Sequence, residues 1–200
     1  ALVGFSRMLT KLIKDFNAKY IAVTFDTKEP TFRHLMYPLY KANRAECPHD
    51  LIPQLPYFRK IVQAFGIQSL EKAGVEADDI IATLAKNFSK QGQDVIVVSG
   101  DKDLLQLVDA QVKVYDAMRD CKFGDLEVKE KMGVWPKQVR DYLALIGDSS
   151  DNVPGVKGLG PKTAEVLFEK YETLENLLAN LDTLEAVPGI RGAKSVKEKL

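Results

Sequence analysis

The sequence has little of several features that define other classes of protein. It contains two cysteines and one tryptophan in 200 residues, and its 28 basic and 28 acidic side chains leave no net charge. Cys47 and Cys121 belong to no paired motif, which excludes a disulfide scaffold and predicts reduced thiols in a cytoplasmic protein. No apolar run approaches the roughly 18 residues of a membrane span. The charges within residues 1–16 exclude a signal peptide.

The charges are distributed unevenly along the chain. Residues 1–75 carry 11 basic and 6 acidic side chains, whereas residues 76–151 carry 10 basic and 15 acidic ones. A neutral total taken alone argues against a nucleic-acid partner, but a basic flank beside an acidic middle is more informative than the total. Solvated faces of mixed sign are the alternative explanation of the same pattern.

The composition that is present, 46% apolar and 28% charged, is typical of a globular domain with a core. Short β-rich runs alternate with amphipathic helical patterns, which predicts an α/β fold with a mostly parallel central sheet flanked by helices. Beyond Trp135 the pattern is helical throughout. The predicted helices cover 1–16, 54–65, 77–91 and 102–108, and the predicted strands cover 20–25, 67–70, 94–99 and 112–115.

An irregular segment at about 27–56 interrupts this alternation. It holds five of the nine prolines and has little periodicity. Irregular segments of this length inside a compact domain are usually functional or mobile. With the change of pattern near Trp135, it predicts a core at 1–134 and a helical region at 135–200.

Eight carboxylates draw attention, and most of them stand at the carboxyl ends of strands or at helix starts. In an open parallel sheet such positions share one crevice, where ligands bind. Crowded carboxylates repel each other and raise each other's pKa unless a cation neutralises them. Their number predicts Mg²⁺ or Mn²⁺, and a pair of such ions can stabilise both the attacking and the leaving oxygen in phosphodiester hydrolysis. The eight are Asp26, Glu76, Asp78, Asp79, Asp101, Asp103, Asp148 and Asp151.

Some of these carboxylates have a structural alternative. Asp78 or Asp79 favours a helix N-terminus, Asp101 is a candidate N-cap for the helix at Lys102, and Asp148 is a candidate turn cap. Because several come in pairs at one helix start, they cannot all be caps.

A glycine-rich segment, 155–163, resembles a phosphate-binding loop but departs from it at Pro161, where that loop has lysine. The segment instead predicts a tight hairpin between two helices, with Pro161 in the first turn of the second helix. Backbone N–H groups, Lys162 and Thr163 would then face a phosphate backbone without reading its sequence. A plain structural turn is the alternative.

The first part of this hairpin is repeated. Val153–Gly158 (VPGVKG) recurs as Val187–Gly192 (VPGIRG), and each copy precedes a lysine-rich helical pattern. Chance recurrence of a Pro-Gly turn explains six matched positions less well than a duplicated hairpin does.

Four motifs together carry a family resemblance: VTFD ending at Asp26, GVEADD at 74–79, SGDKD at 99–103, and GDSSDNVPGVKGLGPKTA at 147–164. In this order and spacing they resemble the 5′-nuclease family, which includes the flap endonucleases and the N-terminal 5′→3′ exonuclease domains of bacterial DNA polymerase I. The resemblance covers essentially the whole chain. It implies a PIN-like nuclease core, a helical arch at about 27–56 and a helix-hairpin-helix region.

The resemblance also implies the metal ligands. Asp26 and Asp78 would serve the first of two Mg²⁺ or Mn²⁺ ions, with Glu76 nearby. Asp101, Asp103 and Asp151 would serve the second ion, bridged to the first by Asp78. Asp79 and Asp148 match further acidic positions of the family.

The DNA contacts follow from the same resemblance. Lys41 would contact the scissile phosphate with the help of Arg33 and Arg44, and Tyr37 would stack on a base; a solvated loop is the alternative for Lys41 and Arg44. The hairpin would bind K⁺ through backbone carbonyls and the DNA backbone through its own residues. Those hairpin residues are Gly155, Lys157, Gly158, Gly160, Lys162 and Thr163.

One departure from the family concerns the ends of the chain. The family begins with a strand that ends in a metal-binding aspartate, whereas this sequence starts in a helical pattern at Ala1 and stops inside the second repeat. We therefore expect both ends to be truncated, and a polymerase region is a candidate for what is absent.

The implied function is hydrolysis of DNA at 5′ flaps or nicks, and of RNA-primed ends, in replication and repair. Two alternatives remain at this point. One is a non-catalytic, structure-specific DNA-binding protein, although carboxylates beside phosphates do not serve binding alone. The other is an RNA-directed endonuclease with a similar acidic site.

Overall fold

The structure, a computed structural model, describes residues 1–190 and 192–200. Arg191, a member of the second copy of the predicted repeat, lies outside the described residues. No helix in the described part is long and apolar enough to cross a membrane. Contacts divide the chain into a first unit, Ala1–Pro38 with Arg44–Leu84, and a second unit, Leu39–Asn43 with Ala85–Leu200. The predicted boundary between residues 134 and 135 stays a prediction.

The helices and strands follow the predicted order. The α-helices are α1 Leu2–Phe16, α2 Phe32–Met36, α3 Leu55–Ala64, α4 Ala77–Lys90, α5 Asp125–Met132, α6 Val139–Ile146, α7 Pro161–Tyr171, α8 Leu174–Ala179 and α9 Ala193–Lys197. The strands are β1 Ala22–Thr24, β2 Gln68–Leu70, β3 Val95–Val98, β4 Val112–Asp116, β5 Cys121–Phe123, β6 Gly147–Asp148 and β7 Val153–Pro154. Short 3₁₀ helices cover Ile52–Gln54, Lys102–Leu107, Pro136–Gln138 and Leu181–Ala186.

The first unit pairs β1 with β2 in parallel, with Val23 opposite Ser69. Helix α1 packs on α3, where the rings of Phe5 and Phe58 meet edge to face with centroids 5.0 Å apart. The prediction of a buried strand at 20–25 is wrong in length and burial, because β1 has three residues and Ala22 is exposed. A strand this short shields little surface from solvent, even though its sequence is apolar.

The second unit has a three-stranded sheet in the order β3–β4–β5. Strands β3 and β4 are parallel, with Val97 opposite Val114, whereas β5 is antiparallel to β4 and places Phe123 opposite Val114. These three side chains are buried and form part of the core. The parallel pairs agree with the predicted sheet. Strand β5 was not predicted, because a strand of three residues is too short to show a periodic pattern.

Two predictions of local structure in the second unit need correction. The predicted helix at 102–108 is a 3₁₀ helix, Lys102–Leu107. The region beyond Trp135 is not purely helical, because β6 and β7 form a small antiparallel hairpin between α6 and α7. A two-residue strand has no periodicity to detect, so only the tertiary pairing reveals it.

The two copies of the repeat share a left-handed glycine in the described residues. Gly158 has φ +83° and Gly192 has φ +70°, a conformation that glycine adopts without steric cost. A helix follows each copy, α7 after the first and α9 after the second, as predicted. The copies differ before these glycines, because β7 has no counterpart among the described residues of the second copy.

Candidate active site

Three carboxylates of the second unit form a compact cluster, which we call the triad. Asp103, Asp148 and Asp151 each offer an oxygen, and these oxygens lie within 4.8 Å of one another. Asp103 lies in the 3₁₀ helix after β3, Asp148 lies in β6, and Asp151 lies in the turn that joins β6 to β7. Three carboxylate oxygens held this close could hold a divalent metal ion.

Asp103 gives the clearest sign that the triad suits a cation. Its Oδ1 atom is shielded from solvent and has no hydrogen-bond partner among the described residues. Burial, the largest cause, and the neighbouring negative charges of Asp101 and Asp148 together raise the pKa of the Asp103 carboxyl to about 6. A carboxylate oxygen that is buried and unpartnered is costly, so the residues present fit a divalent cation at this point.

Asp101 adopts the capping role that was the alternative for it. Its Oδ1 accepts a hydrogen bond of 2.9 Å from the backbone N–H of Asp103, which makes it the N-cap of the 3₁₀ helix. The N-cap interpretation of Asp101 is therefore confirmed, while the role of Asp101 toward a metal stays a prediction. The cap orients the backbone that carries Asp103.

Asp148 is buried and well supplied with donors. It accepts hydrogen bonds of 2.9 Å from Lys102 Nζ and from the backbone N–H of Ser150, and another from the Ser150 hydroxyl. Burial by itself raises the pKa of Asp148, but these donors outweigh it and hold the pKa below its usual value. The turn-capping alternative for Asp148 is thus confirmed, and the cap fixes the turn that carries Asp151.

A short segment of the predicted arch, 39–43, is bonded to this turn. The backbone N–H of Lys41 donates to the Asp151 carbonyl at 2.9 Å, and the Asn43 side chain donates to the Ser149 carbonyl at 2.7 Å. The Asn152 side chain donates in the opposite direction, to the Leu39 carbonyl, at 2.7 Å. These bonds join residues more than 100 positions apart and place the arch segment beside the triad.

The same segment brings two side chains to Asp151. The Tyr40 hydroxyl donates to Asp151 Oδ2 at 2.9 Å, and Lys41 Nζ lies 3.7 Å from that oxygen. Lys41 therefore lies beside the carboxylates, as its predicted role requires. Sequence reasoning missed Tyr40; its only signal was a large aromatic directly before Lys41 in a proline-rich segment.

The first unit carries its own acidic group at the start of α4. Asp26 Oδ1 accepts a hydrogen bond of 2.8 Å from the backbone N–H of Ala77, the first residue of that helix. A carboxylate is favourable there because the free N–H groups of a helix start attract negative charge. Asp78 is half-buried in the first turn of the same helix.

Arg33 is paired with two further carboxylates of this group. Its guanidinium makes two hydrogen bonds of 2.7 Å to Asp79 and lies 3.6 Å from Glu76. Asp79 also accepts the backbone N–H of Glu76 at 2.9 Å, so it helps to begin α4, as its capping alternative predicted. The predicted role of Arg33 toward a phosphate stays a prediction. The guanidinium of Arg33 forms an ion pair with Asp79, and the sequence spacing did not predict this pair.

Two residues of the arch that were predicted to contact DNA, Tyr37 and Arg44, have positions in the structure that do not test this role. Tyr37 follows α2, is half-buried, and donates its backbone N–H to the Arg33 carbonyl at 2.8 Å. Arg44 is exposed. Their predicted roles stay predictions.

The hairpin before α7 combines packing with exposed basic residues. A Cβ on Gly155 would lie 2.2 Å from the carbonyl carbon of Ile146 and 2.4 Å from the Gly147 nitrogen, so this glycine has a structural reason. Gly160 precedes α7, and Pro161 is the first residue of that helix, as predicted. The side chains at the hairpin and helix start are exposed at Lys157 and Lys162 and half-buried at Thr163.

The raised pKa of Asp103 predicts a pH-dependent stability of the metal-free protein. Its pKa is about 6 in the folded state and about 3.9 when unfolded, so the folded state binds this proton more tightly. The contribution of Asp103 to the free energy of unfolding is then fully present below about pH 4 and is lost as the pH rises to about 6. With solvent screening at a partly exposed group, we expect a loss of about 1 kcal/mol.

Denaturant unfolding of the wild type and Asp103→Asn in EDTA, at a series of pH values, measures this difference. The free energy of unfolding of the wild type should fall relative to that of the variant over the stated range. Parallel pH curves for the two proteins would contradict the prediction.

Comparisons with known proteins show which family the chain resembles. A family model described as 5′-3′ exonuclease, N-terminal resolvase-like domain, matches residues 1–133, and a second, 5′-3′ exonuclease, C-terminal SAM fold, matches residues 134–200. The chain is 42% identical to a DNA polymerase I of Caldicellulosiruptor bescii, covering all of this chain and 23% of that protein. It is 45% identical to a 5′-3′ exonuclease of Aquifex aeolicus, covering 92% of this chain and 64% of that protein.

A solved structure gives the same fold. The bacteriophage T5 flap endonuclease, in a pseudo-enzyme-product complex with DNA and metal ions, matches with a TM-score of 0.77 at 21% identity, covering 98% of this chain and 76% of that one. These matches confirm the predicted α/β fold class. The chain spans less than two thirds of the length of the two relatives named above.

Proposed function

Since this chain belongs to the 5′-3′ exonuclease family, as its motifs predicted, we propose that it hydrolyses phosphodiester bonds in DNA at 5′ flaps and nicks. The observation that carries the proposal is the triad, in which the buried Asp103 oxygen has no hydrogen-bond partner in the described part of the chain. Such an arrangement is costly for a protein that only binds DNA, because carboxylates repel phosphates. It suits a protein that holds divalent cations.

We assign Asp103 and Asp151 as direct ligands of Mg²⁺ or Mn²⁺, with Asp148 beside them and Asp101 orienting Asp103. The other ion, the first of the two predicted from the sequence, is assigned to the acidic group of the first unit: Asp26, Glu76, Asp78 and Asp79. A divalent cation bound to such carboxylates supplies charge stabilisation to phosphate oxygens. The T5 flap endonuclease, which has this fold, is described with metal ions and DNA.

The chain's own cations complete the proposed chemistry. Lys41 Nζ lies 3.7 Å from Asp151, so a phosphate held at the triad would meet an ammonium group there. A cation fixed at this position offsets the negative charge that develops on the phosphate during cleavage, without reorganising at the moment of reaction. Arg44 and Arg33 are assigned supporting roles on the same substrate, and Tyr37 is assigned to base stacking.

The hairpin is assigned to the duplex part of the substrate. Exposed Lys157 and Lys162 flank backbone that begins α7, which suits phosphate contacts that hold DNA without reading its sequence. Gly155, Gly158, Gly160 and Thr163 shape this backbone, and K⁺ binding by its carbonyls is a further part of the proposal. Action on RNA-primed ends, and linkage to a polymerase region as in the C. bescii relative, belong to the same proposal.

The test is cleavage of labelled 5′-flap, nicked and blunt duplex DNA, together with an RNA flap of the same sequence, at matched salt. We expect cleavage near the junction of flapped DNA in Mg²⁺, none in EDTA, and slow or no cleavage of blunt duplex. Tight junction binding without turnover in Mg²⁺ or Mn²⁺ would favour the non-catalytic alternative instead. Faster cleavage of the RNA flap than of the DNA flap would favour the RNA-directed endonuclease.

A further inference from the structure

Lys102 joins the two parts of the chain that build the triad. It is the first residue of the 3₁₀ helix that carries Asp103, and its Nζ donates to Asp148 Oδ1 at 2.9 Å across 46 positions of sequence. The Asp148 side chain is 9% exposed and that of Lys102 is 37% exposed, so the pair is only partly screened by water. The ion pair therefore connects the 3₁₀ helix to the end of β6, where the three carboxylates converge.

The charge of Lys102 is positioned to offset the repulsion within the triad. Three carboxylates with oxygens within 4.8 Å carry three negative charges when ionised. Lys102 makes its hydrogen bond with one of them at 2.9 Å, whereas the ammonium of Lys41 is more distant from its carboxylate, at 3.7 Å. The attraction between opposite charges strengthens as the distance between them shortens.

We propose that Lys102 is a built-in counter-cation that keeps Asp103, Asp148 and Asp151 assembled when no divalent ion is bound. The proposal rests on the proposed function, because it treats the triad as a divalent-cation site. Lys102 is a positioning residue in this account, since it acts on the substrate only through the carboxylates that it holds. Neither the family models nor the names of the relatives assign it a role.

The proposal has a consequence that a simple structural ion pair lacks. Removing the charge of Lys102 raises the free energy of the metal-free protein more than that of the metal-bound protein, where the divalent ion neutralises the same carboxylates. By linkage, the variant must then bind the divalent ion more tightly than the wild type does. A variant that is less stable and yet binds metal more tightly is the signature of a counter-cation.

The experiment compares Lys102→Met, Lys102→Gln and Lys102→Arg with the wild type. Lys137→Met is the matched control, because Lys137 pairs with Glu172 at the surface, outside the triad. Mn²⁺ affinity is measured by titration calorimetry, and the unfolding temperature is measured in EDTA and in excess Mg²⁺. Lys102→Gln keeps a hydrogen-bond donor without charge, and it replaces Lys102→Met if that variant does not fold.

We expect the neutral variants to bind Mn²⁺ about three- to tenfold more tightly than the wild type. Their unfolding temperature should fall by about 5 °C in EDTA and by clearly less in Mg²⁺. Lys102→Arg and Lys137→Met should keep the wild-type metal affinity.

Unchanged or weaker Mn²⁺ binding by the neutral variants would overturn the proposal, as would equal losses of unfolding temperature with and without metal. A different result would contradict the proposed function itself: a wild-type protein that does not bind Mn²⁺ and is not stabilised by Mg²⁺.

Discussion

Replacing Asp103 by asparagine should lower the rate of flap cleavage about 10³-fold while making the metal-free protein more stable. The loss follows because the triad loses an anionic oxygen from its ligand set, and the charge stabilisation at stake is worth several kcal/mol, with about 1.4 kcal/mol for each factor of ten. The gain in stability follows because the wild-type oxygen is buried without a partner and lies among like charges. A neutral amide carries no charge to desolvate and is not repelled by the neighbouring carboxylates.

Single-turnover cleavage of a 5′-flap substrate over a range of Mg²⁺ concentrations measures the first effect. Denaturant unfolding in EDTA at neutral pH measures the second, which we expect to be a gain of about 1 kcal/mol after solvent screening. Asp94→Asn is the matched control, because Asp94 is an exposed carboxylate just before β3 in the same unit. Full activity in Asp103→Asn, or a loss of similar size in both variants, would contradict the assignment of the triad.

The opposite signs of these two effects give the prediction its value. A residue that only supports the fold loses activity and stability together when it is replaced. A residue retained at a cost to stability is expected where a ligand later compensates that cost. Asp103 meets this description because the described residues leave its Oδ1 without a hydrogen bond.

Substitution of Gly155 by alanine should prevent the β6–β7 hairpin from forming and so remove both stability and cleavage. The added Cβ would lie 2.2 Å from the Ile146 carbonyl carbon and 2.4 Å from the Gly147 nitrogen. Both neighbours are backbone atoms, and Gly147 itself has φ +79°, so neither strand can move aside cheaply. We expect a cost of about 3 kcal/mol or more, in the range of severe overpacking.

Thermal unfolding followed by circular dichroism, with Mn²⁺ titration of any folded fraction, measures this effect. Gly160→Ala is the matched control for folding alone, since a Cβ there meets no atom within 4 Å and Gly160 has φ −101°. Because Asp148 lies in β6 and Asp151 in the turn after it, Gly155→Ala should also lose metal binding. A Gly155→Ala protein with the unfolding temperature of Gly160→Ala would show that the hairpin is not packed as described.

The elements that a sequence pattern reveals are those long enough to repeat it. Helix α1 shows an apolar face over several turns, and β3 is a run of β-branched residues, so both were predictable. Strands β5, β6 and β7 have only two or three residues, and none of them was predicted as a strand. Their existence depends on the partner strand and is not encoded in their own composition.

The candidate site also has features that the sequence predicted and features that it did not. The carboxylates were predictable because paired acids at strand ends and helix starts are unusual, and the four motifs made their family recognisable. The distant partners of these carboxylates were not predictable. Asp26 accepts the backbone N–H of Ala77, Asp79 pairs with Arg33, and Asp148 pairs with Lys102. One oxygen of Asp103 has no hydrogen-bond partner among the described residues.

The sequence by itself determined the family and the α/β class and singled out eight acidic residues as candidates, because these depend on local patterns and on residue types at fixed spacings. Only the tertiary structure decided which carboxylates meet and which cations accompany them. Tyr40 and Asp151 lie 111 positions apart, and their hydrogen bond exists only because the arch segment and the β6–β7 turn fold against each other. The charge balance at the triad depends on such distant partners, and nothing in the local sequence around Asp103 specifies them.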